Sequence, residues 1–271
     1  MATALIGGFQ VGLGRPLLLI CGPDIVEGED VTLRAATEVK RLAARHGLPL
    51  VFKCSFDKAN RTSIRSYRGI GMDPALEVLA RVRRDLALPV LTDVHEPWQA
   101  AKAARVADVL QVPAFLCRQT DLLVACARAA KAVNVKKGQF VAPRDMRHPV
   151  AKLRESGAAN VLLTERGASF GYNNLVVDLR SLGLMRDLGV PVCFDATHSV
   201  QLPSAAGDTT GGERRFVAPL ARAAVAAGVD ALFLEVHEDP DRAPCDGPNS
   251  LDFAALDALL GEVAAVRKAL G

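Results

Sequence analysis

The chain has 271 residues, of which 50% are hydrophobic and 23% are charged, a composition typical of a protein with a substantial buried core. Its net charge of +3 is small and its lysines and arginines are dispersed, so we expect no dedicated nucleic-acid surface, although a locally basic pocket is compatible with this charge. The sequence contains no apolar run of about 18 residues, so it predicts no transmembrane helix and no membrane partner.

Short β-rich segments alternate with longer segments of helical period along the chain. The predicted strands, in chain order, are 17–21, 50–55, 90–94, 109–113, 132–137, 160–166, 191–197 and 231–237. The amphipathic segments between them include 30–46, 74–86, 97–106, 120–131, 213–227 and 251–269. Eight strands alternating with helices predict an α/β fold, a single-domain (β/α)8 TIM barrel over residues 1–271, with a doubly wound open sheet as the alternative. The residues before the first strand predict a short extension, a hairpin that closes the barrel floor.

The N-terminus and the cysteines bear on the cellular compartment. The segment MATALIGGFQVGLGRP has no basic region ahead of an apolar one, so no signal peptide is expected. The six cysteines include no Cys-x-x-Cys pair, and four of them lie in or beside apolar runs, where buried free thiols are common. These features predict a reducing, cytoplasmic location.

Polar residues follow most of the predicted strands. Six strands end in them, for example in Lys53 and Ser55 after strand two, Asp93 in strand three and His198 after strand seven. Contact with water would explain any one of these endings. Because active sites of TIM barrels lie at the carboxyl ends of the strands, six such endings together predict an active site there.

The predicted site is rich in cations, namely Lys53, Lys58, Arg61, Lys136 and Arg166. A basic barrel mouth suits phosphorylated substrates, since arginine offers bidentate contacts and lysine a point charge. Strand residues alternate between faces, so only one of Lys136 and Lys137 can point inward. For any single member, an ordinary surface cation is the alternative interpretation.

A candidate metal set consists of Asp24, His198, Glu235 and Asp246. In a closed barrel strand eight pairs with strand one, so these four residues can converge. One imidazole and three carboxylates suit Mn²⁺, Fe²⁺ or Mg²⁺ better than structural zinc. The alternative is a set of hydrogen-bonded polar residues that line a pocket, and spacing alone slightly favours that alternative.

Several stretches of the chain are similar to those of a known enzyme family. They are VFKCSFDKANRTS, PAFLCRQTDL, NVKKGQF, TERGASFGYNNLVVD, DATHSVQLP and CDGP. In this order and spacing they resemble the 3-deoxy-D-manno-octulosonate 8-phosphate synthases, from about residue 17 to the end of the chain. That family condenses phosphoenolpyruvate with D-arabinose 5-phosphate and water, releasing inorganic phosphate, in lipopolysaccharide biosynthesis. The resemblance implies a transferase of the same activity, usually a homotetramer in which a neighbouring subunit contributes part of the substrate grip.

The resemblance also implies roles for individual residues. Those that would bind phosphoenolpyruvate are Lys53, Ser55, Lys58, Gln119, Lys136 and Arg166. Those that would bind arabinose 5-phosphate are Asn60, Arg61, Thr62, Ser63 and Arg118. The candidate catalytic residues, as proton handlers, water positioners or charge carriers, are His198, Asp93, Asp246 and Lys58, and none of them is assigned as the base.

Three rival activities fit a phosphate-binding barrel. A relative acting on erythrose 4-phosphate would share the phosphoenolpyruvate site, but KANRTS and SFGYNNLVVD weigh against it. A Schiff-base aldolase could use Lys136 or Lys53 as its nucleophile. A non-catalytic phosphosugar-binding barrel would lack polar residues at the strand ends that this chain retains.

Asp24 departs from both branches of the family. Metal-dependent members carry cysteine at this position and metal-independent members carry asparagine. Pro23, VKKGQ, TERG and SVQLP resemble the metal-dependent branch, whereas CDGP with Cys245 resembles the other. An ionised Asp24 near Glu235 and Asp246 requires a compensating cation or lysine. This favours a divalent ion (Mn²⁺, Fe²⁺, Zn²⁺ or Mg²⁺), and a metal-independent form remains the alternative.

Overall fold

The computed structural model describes residues 3–206 and 209–270, and within these ranges eight parallel strands close into a barrel. The strands are β1 (Leu18–Gly22), β2 (Leu50–Lys53), β3 (Val90–Asp93), β4 (Val109–Val112), β5 (Ala132–Lys136), β6 (Val161–Glu165), β7 (Val192–Asp195) and β8 (Ala231–Glu235). Pairing of Leu232 in β8 with Leu19 in β1 closes the ring. The predicted (β/α)8 barrel is confirmed, and the open-sheet alternative is wrong.

A helix follows each barrel strand in the chain. These helices are α1 (Glu29–Arg45), α2 (Met72–Asp85), α3 (Pro97–Ala103), α4 (Thr120–Ala129), α5 (Arg147–Glu155), α6 (Arg180–Arg186), α7 (Val217–Ala226) and α8 (Phe253–Ala269). The predicted amphipathic segments did not include α5 and α6. Pro149 interrupts the helical pattern of α5, and α6 has only seven residues with Gly183 among them, so both carry weak periodic signals. In the part of the chain that the structure describes, none of the helices has the length and apolar character needed to cross a bilayer.

All residues of the eight barrel strands are buried. The helices cover one face of each strand and the barrel interior the other, which explains why the strands are mostly apolar. Several predicted strands extend past the observed ends, for example 191–197 against Val192–Asp195. The extra residues leave the ladder because they turn into the loops that bear the polar side chains.

The chain before β1 forms an antiparallel hairpin, as predicted. Its strands, Thr3–Ile6 and Phe9–Gly12, pair with Leu5 opposite Gln10. Ala4, Ile6 and Val11 belong to the same buried apolar cluster as inward-facing barrel residues such as Ile20. The hairpin therefore closes the barrel at the end opposite the carboxyl ends of the strands.

Candidate active site

The carboxyl ends of the strands surround a cavity of about 430 Å³. The side chains that line it are mostly polar, and the ionisable ones are Lys53, Lys58, Arg61, Asp93, His95, Lys136, Arg166, His198 and Asp246. The cavity thus lies where the barrel places catalytic groups. It brings together most of the residues predicted from the sequence.

Asp24 lies in the turn after β1, and its carboxylate is buried between two ammonium groups. The Lys58 ammonium contacts Asp24 Oδ1, and Lys53 Nζ lies 3.4 Å from the same oxygen and 2.8 Å from the Asp24 carbonyl oxygen. The Cys245 thiol donates to Asp24 Oδ2. Burial opposes ionisation of Asp24, but Lys58 and Lys53 outweigh it and hold the pKa of the carboxyl well below its usual range.

The close approach of β1 to β2 depends on a glycine. A β-carbon added at Gly22 would collide with the backbone carbonyl oxygen of Lys53. The absence of a side chain at Gly22 therefore lets the end of β2 lie close enough for Lys53 to reach the Asp24 turn.

Glu235 ends β8 beside Asp24. Its Oε1 lies 2.5 Å from Lys53 Nζ and 3.5 Å from His198 Nε2. Its Oε2 is buried and has no hydrogen-bond partner among the described residues. Burial and the neighbouring Asp24 charge raise the pKa of Glu235, even though His198 and the lysines oppose this shift.

His198 follows β7 and is held by Asp195, the last residue of that strand. Asp195 Oδ2 lies 2.8 Å from His198 Nδ1, and Asp195 Oδ1 accepts from the His198 backbone N–H at 2.9 Å. This leaves His198 Nε2 facing the cavity, 3.5 Å from Asp246 Oδ2. Burial disfavours the imidazolium, but Asp195 and Glu235 raise the pKa of His198 to about 9.

Asp246 is positioned by a tight turn in the segment CDGP. Its φ of 51° is in the left-handed region, and its carbonyl oxygen accepts from Asn249 N and Ser250 N, each at 3.0 Å. A β-carbon at Gly247 would collide with the Pro240 carbonyl oxygen, so the turn requires glycine there. Asp24, His198, Glu235 and Asp246 converge, with one potential ligand atom from each lying within 4.8 Å of the others.

The two consecutive lysines at the end of β5, Lys136 in the strand and Lys137 directly after it, have separate environments. Lys136 Nζ faces the cavity, 2.7 Å from Asp195 Oδ2 and 3.9 Å from the centroid of the Phe233 ring. Lys137 is buried on the other side of the strand, where its Nζ donates to the Gly138 carbonyl oxygen at 3.2 Å and lies 3.5 Å from Glu165 Oε1. Lys136 is therefore the inward-facing member.

Two arginines bring guanidinium groups to the cavity. Arg166 NH2 donates to Gln201 Oε1 at 2.6 Å, and Arg61 NH2 donates to the Pro244 carbonyl oxygen at 3.3 Å. Among the described residues, neither Arg166 NH1 nor Arg61 Nε has a hydrogen-bond partner, although both atoms are buried. Buried cationic donors of this kind can donate hydrogen bonds to the oxygens of a phosphate.

The predicted sugar-phosphate residues separate into two groups. Asn60, Arg61 and Thr62 line the cavity, whereas Ser63 lies just beyond it, with its hydroxyl accepting from the Arg65 backbone N–H at 3.3 Å. Arg118 lies immediately before α4 and is outside the cavity of its own chain. Gln119, predicted to contact phosphoenolpyruvate, is exposed at this position and also lies outside that cavity.

Asp195, Gln201 and Gln111 are among the polar residues of the site that were not predicted. Asp195 fixes His198 and Lys136, and Gln201 links Arg166 to Asp246 through a 3.1 Å bond from Nε2 to Oδ1. Gln111 lines the cavity from β4. Asp195 and Gln201 lie in the stretch DATHSVQLP, and Gln111 interrupts an apolar strand, so the signals were present. Of these signals, only the three-residue spacing from Asp195 to His198 pointed to an interaction, the hydrogen bond between a carboxylate and an imidazole.

Comparison with known proteins identifies the family of the chain. Residues 4–270 match the sequence model of the DAHP synthetase I family. The chain is 58% identical to the 2-dehydro-3-deoxyphosphooctonate aldolase of Trichlorobacter lovleyi, over 96% of both chains. It is 58% identical to the Synechococcus protein of that name, over 97% of this chain and 92% of the relative, and 57% identical to that of Desulfatibacillum aliphaticivorans, over 96% and 95%. The chain belongs to the DAHP synthetase I family, among the relatives that bear the name 2-dehydro-3-deoxyphosphooctonate aldolase.

Proposed function

We propose that this chain condenses phosphoenolpyruvate with D-arabinose 5-phosphate and water, giving 3-deoxy-D-manno-octulosonate 8-phosphate and inorganic phosphate for lipopolysaccharide core synthesis. The observation that carries the proposal is that two guanidinium groups border one cavity, Arg166 after β6 and Arg61 in the loop after β2, each with a buried donor that has no partner among the described residues. The names of the relatives support the same reaction. The family match over residues 4–270 supports a single catalytic domain.

The guanidinium donors of the cavity support phosphorylated substrates. Two phosphate monoesters and one carboxylate carry a total charge of roughly −5 at neutral pH. Lys53, Lys58 and Lys136 are paired with carboxylates of the protein. Arg61 and Arg166 each keep a buried donor without a partner among the described residues, which is available to phosphate oxygens. We assign Lys136, Arg166, Lys53, Ser55 and Lys58 to phosphoenolpyruvate.

We assign the Asn60–Ser63 segment to the phosphate of arabinose 5-phosphate. Arg118 and Gln119 cannot contribute from their position to the cavity of the same chain without a rearrangement. We therefore propose a homotetramer in which Arg118 and Gln119 complete the cavity of a neighbouring subunit. All six cysteines are free and buried, which suits the cytoplasmic location proposed for the enzyme.

In the proposed reaction, C3 of the enol attacks the aldehyde carbon while water adds at C2, and the tetrahedral intermediate loses phosphate by C–O cleavage. The chain must orient two substrates and guide one water molecule. Lys136 and Arg166 would hold phosphoenolpyruvate against β5 and β6. As long as its Nε2 binds no metal ion, His198, with its Nδ1 fixed by Asp195, presents Nε2 to the cavity and is placed to hold or move a proton at the reacting atoms.

The residues around Asp24 fit a divalent cation. Three carboxylates and one imidazole converge, and the unpartnered Glu235 Oε2 supplies a buried acceptor. This oxygen-rich set suits Mn²⁺, Fe²⁺ or Mg²⁺. Asp24, His198, Glu235 and Asp246 would hold the ion, which when bound supplies a Lewis acid for the aldehyde oxygen. Lys58 competes for Asp24, since its ammonium contacts the same carboxylate.

The ion pairs in the cavity disfavour a Schiff-base mechanism. Lys53 pairs with Glu235 and Lys136 with Asp195, so both amines are engaged in ion pairs and are not free to act as nucleophiles. Burial lowers the pKa of Lys53, but Glu235, Asp24 and Asp93 together more than offset this and the pKa is raised overall. Borohydride in the presence of substrate should therefore trap no covalent adduct.

The proposed function is tested by measuring phosphate released from phosphoenolpyruvate by the purified protein. We expect release only when arabinose 5-phosphate is present. Equal turnover with erythrose 4-phosphate would remove the assigned specificity, and borohydride trapping of a carbonyl substrate would replace the mechanism with that of a Schiff-base aldolase.

A further inference from the structure

Four buried polar side chains on neighbouring strands form a chain of hydrogen bonds across the barrel interior. They are Asp93 in β3, Gln111 in β4, Asn134 in β5 and Thr164 in β6. Asp93 is opposite Gln111 in the strand register, and Gln111 is opposite Asn134. Asn134 and Thr164 are fully buried, and Gln111 is 1% exposed.

The hydrogen bonds of this chain all run in one direction. Thr164 Oγ1 donates to Asn134 Oδ1 at 2.7 Å, and Asn134 Nδ2 donates to Gln111 Oε1 at 2.8 Å. Gln111 Nε2 donates to Asp93 Oδ1, and the Ser55 hydroxyl donates to the other oxygen, Asp93 Oδ2. Every donor is therefore oriented towards the Asp93 carboxylate.

The charge on Asp93 explains this common direction. An ionised carboxylate only accepts, so Gln111 must turn its NH2 group towards Asp93 and its oxygen towards Asn134. Asn134 must then present its own NH2 group to Gln111, which leaves its oxygen for the Thr164 hydroxyl. Burial opposes ionisation of Asp93, but Lys58, Lys53 and Lys136 outweigh it and hold the pKa of the carboxyl below its usual range.

The two ends of the chain differ in their access to substrate. Asp93 and Gln111 line the cavity, whereas Asn134 and Thr164 do not. Any effect of the last two residues on a reaction in the cavity must therefore pass through the orientation of Gln111. A reversed Gln111 amide would place its oxygen against Asp93, and two acceptors would then face each other.

We propose that Asn134 and Thr164 are positioning residues, which fix the direction of the Gln111 amide and thereby hold Asp93 as an acceptor facing the substrates. This inference rests on the proposed condensation. It assigns a role in the reaction to two residues that touch no substrate. A purely structural role in the barrel core would affect the stability of the fold and leave turnover by the folded enzyme unchanged.

The matched variants Thr164→Val and Thr164→Ser test the proposal. Valine keeps the shape and removes the hydroxyl that sets the direction of the chain, whereas serine keeps the hydroxyl. For Thr164→Val we expect kcat to fall about tenfold, as the loss of one directed hydrogen bond implies, with KM for both substrates changed by less than about threefold. Thr164→Ser should retain kcat within about twofold. Thermal unfolding of each variant gives the fraction that is folded.

Asn134→Asp gives a second test, because a carboxylate at this position can only accept. Gln111 would turn its NH2 group towards the introduced carboxylate and its oxygen towards Asp93, so we expect a larger fall in kcat than for Thr164→Val. If Asn134→Asp does not fold, the Thr164 pair decides. The positioning role is overturned if folded Thr164→Val has the kcat of the parent, or if Thr164→Val and Thr164→Ser lose kcat equally. In either case the activity of the parent leaves the proposed function intact. A parent that releases no phosphate with arabinose 5-phosphate overturns both.

Discussion

Lys58 and Asp24 form an ion pair at the centre of the barrel mouth, although they lie in the loops that follow two different strands, β2 and β1. Lys53, at the end of β2, forms a second ion pair with the same carboxylate. The charge introduced by aspartate at position 24 is thus compensated within the protein itself. A divalent ion that binds Asp24 would have to displace the Lys58 ammonium from Asp24 Oδ1, so the ion pair and the metal are direct competitors for one oxygen.

Removal of divalent ions should lower the activity of the parent protein, and Mn²⁺ should restore it. Asp24→Asn should retain less metal by elemental analysis, because the amide lacks the charge of the carboxylate and binds a cation more weakly. Asp24→Cys should retain metal through its thiolate. Asp30→Asn, at an exposed position in α1, is the matched control. Chelator-resistant activity in both the parent and Asp24→Asn would end the metal hypothesis.

Arg166→Lys should raise KM for phosphoenolpyruvate by about tenfold or more, since lysine cannot reproduce the bidentate contact of a guanidinium with phosphate. The substitution also removes the bond from Arg166 NH2 to Gln201. Arg180→Lys, at an exposed side chain paired with Asp178, should leave KM unchanged. Steady-state kinetics at saturating arabinose 5-phosphate measure both. An unchanged KM in Arg166→Lys would remove this arginine from the phosphoenolpyruvate site.

The neighbouring lysines at the end of β5 should give opposite phenotypes. Lys136→Met removes a cation from the cavity and should raise KM for phosphoenolpyruvate by about tenfold or more. Lys137→Met leaves Glu165 buried without its lysine and should lower the free energy of unfolding by about 3 kcal/mol, with KM changed little. Denaturant unfolding and kinetics separate the two effects. The reverse pattern would mean that Lys137, not Lys136, faces the substrates.

The thiols should react slowly in the native protein. All six cysteines are buried, and burial raises the pKa of Cys126, for example, to about 12. A raised pKa keeps the thiol protonated and unreactive well above neutral pH. Near pH 8 a thiol reagent should therefore modify the native chain much more slowly than the denatured chain, in which all six should react. Rapid modification of several native thiols would contradict the packing described here.

The sequence predicted the fold well because the barrel strands are mostly apolar segments that recur at regular spacing along the chain. Element ends were less predictable: the segment 231–237 passes the observed end at Glu235, since a buried loop residue such as Val236 has the same apolar character as a strand residue. Helix α6 was missed because its short apolar face carries little periodicity.

The site was predictable where a residue's charge or a motif marked it, as for Lys136 and His198. It was less predictable for neutral residues whose role depends on their partners. Gln111 and Asn134 are isolated amides in apolar strands, and only the three-dimensional register shows that they hydrogen-bond to each other and to Asp93. The direction of those bonds follows from the Asp93 charge and could not be inferred from residue order.

The fate of the bridging oxygen of phosphoenolpyruvate tests the central claim most directly. The substrate is labelled with oxygen-18 between C2 and phosphorus, and the purified protein is supplied with arabinose 5-phosphate. We predict that mass spectrometry will find the label in the released inorganic phosphate and the mass of the eight-carbon sugar acid phosphate in the product. Label retained in the organic product, or release of pyruvate without a condensed sugar, would contradict the proposed reaction.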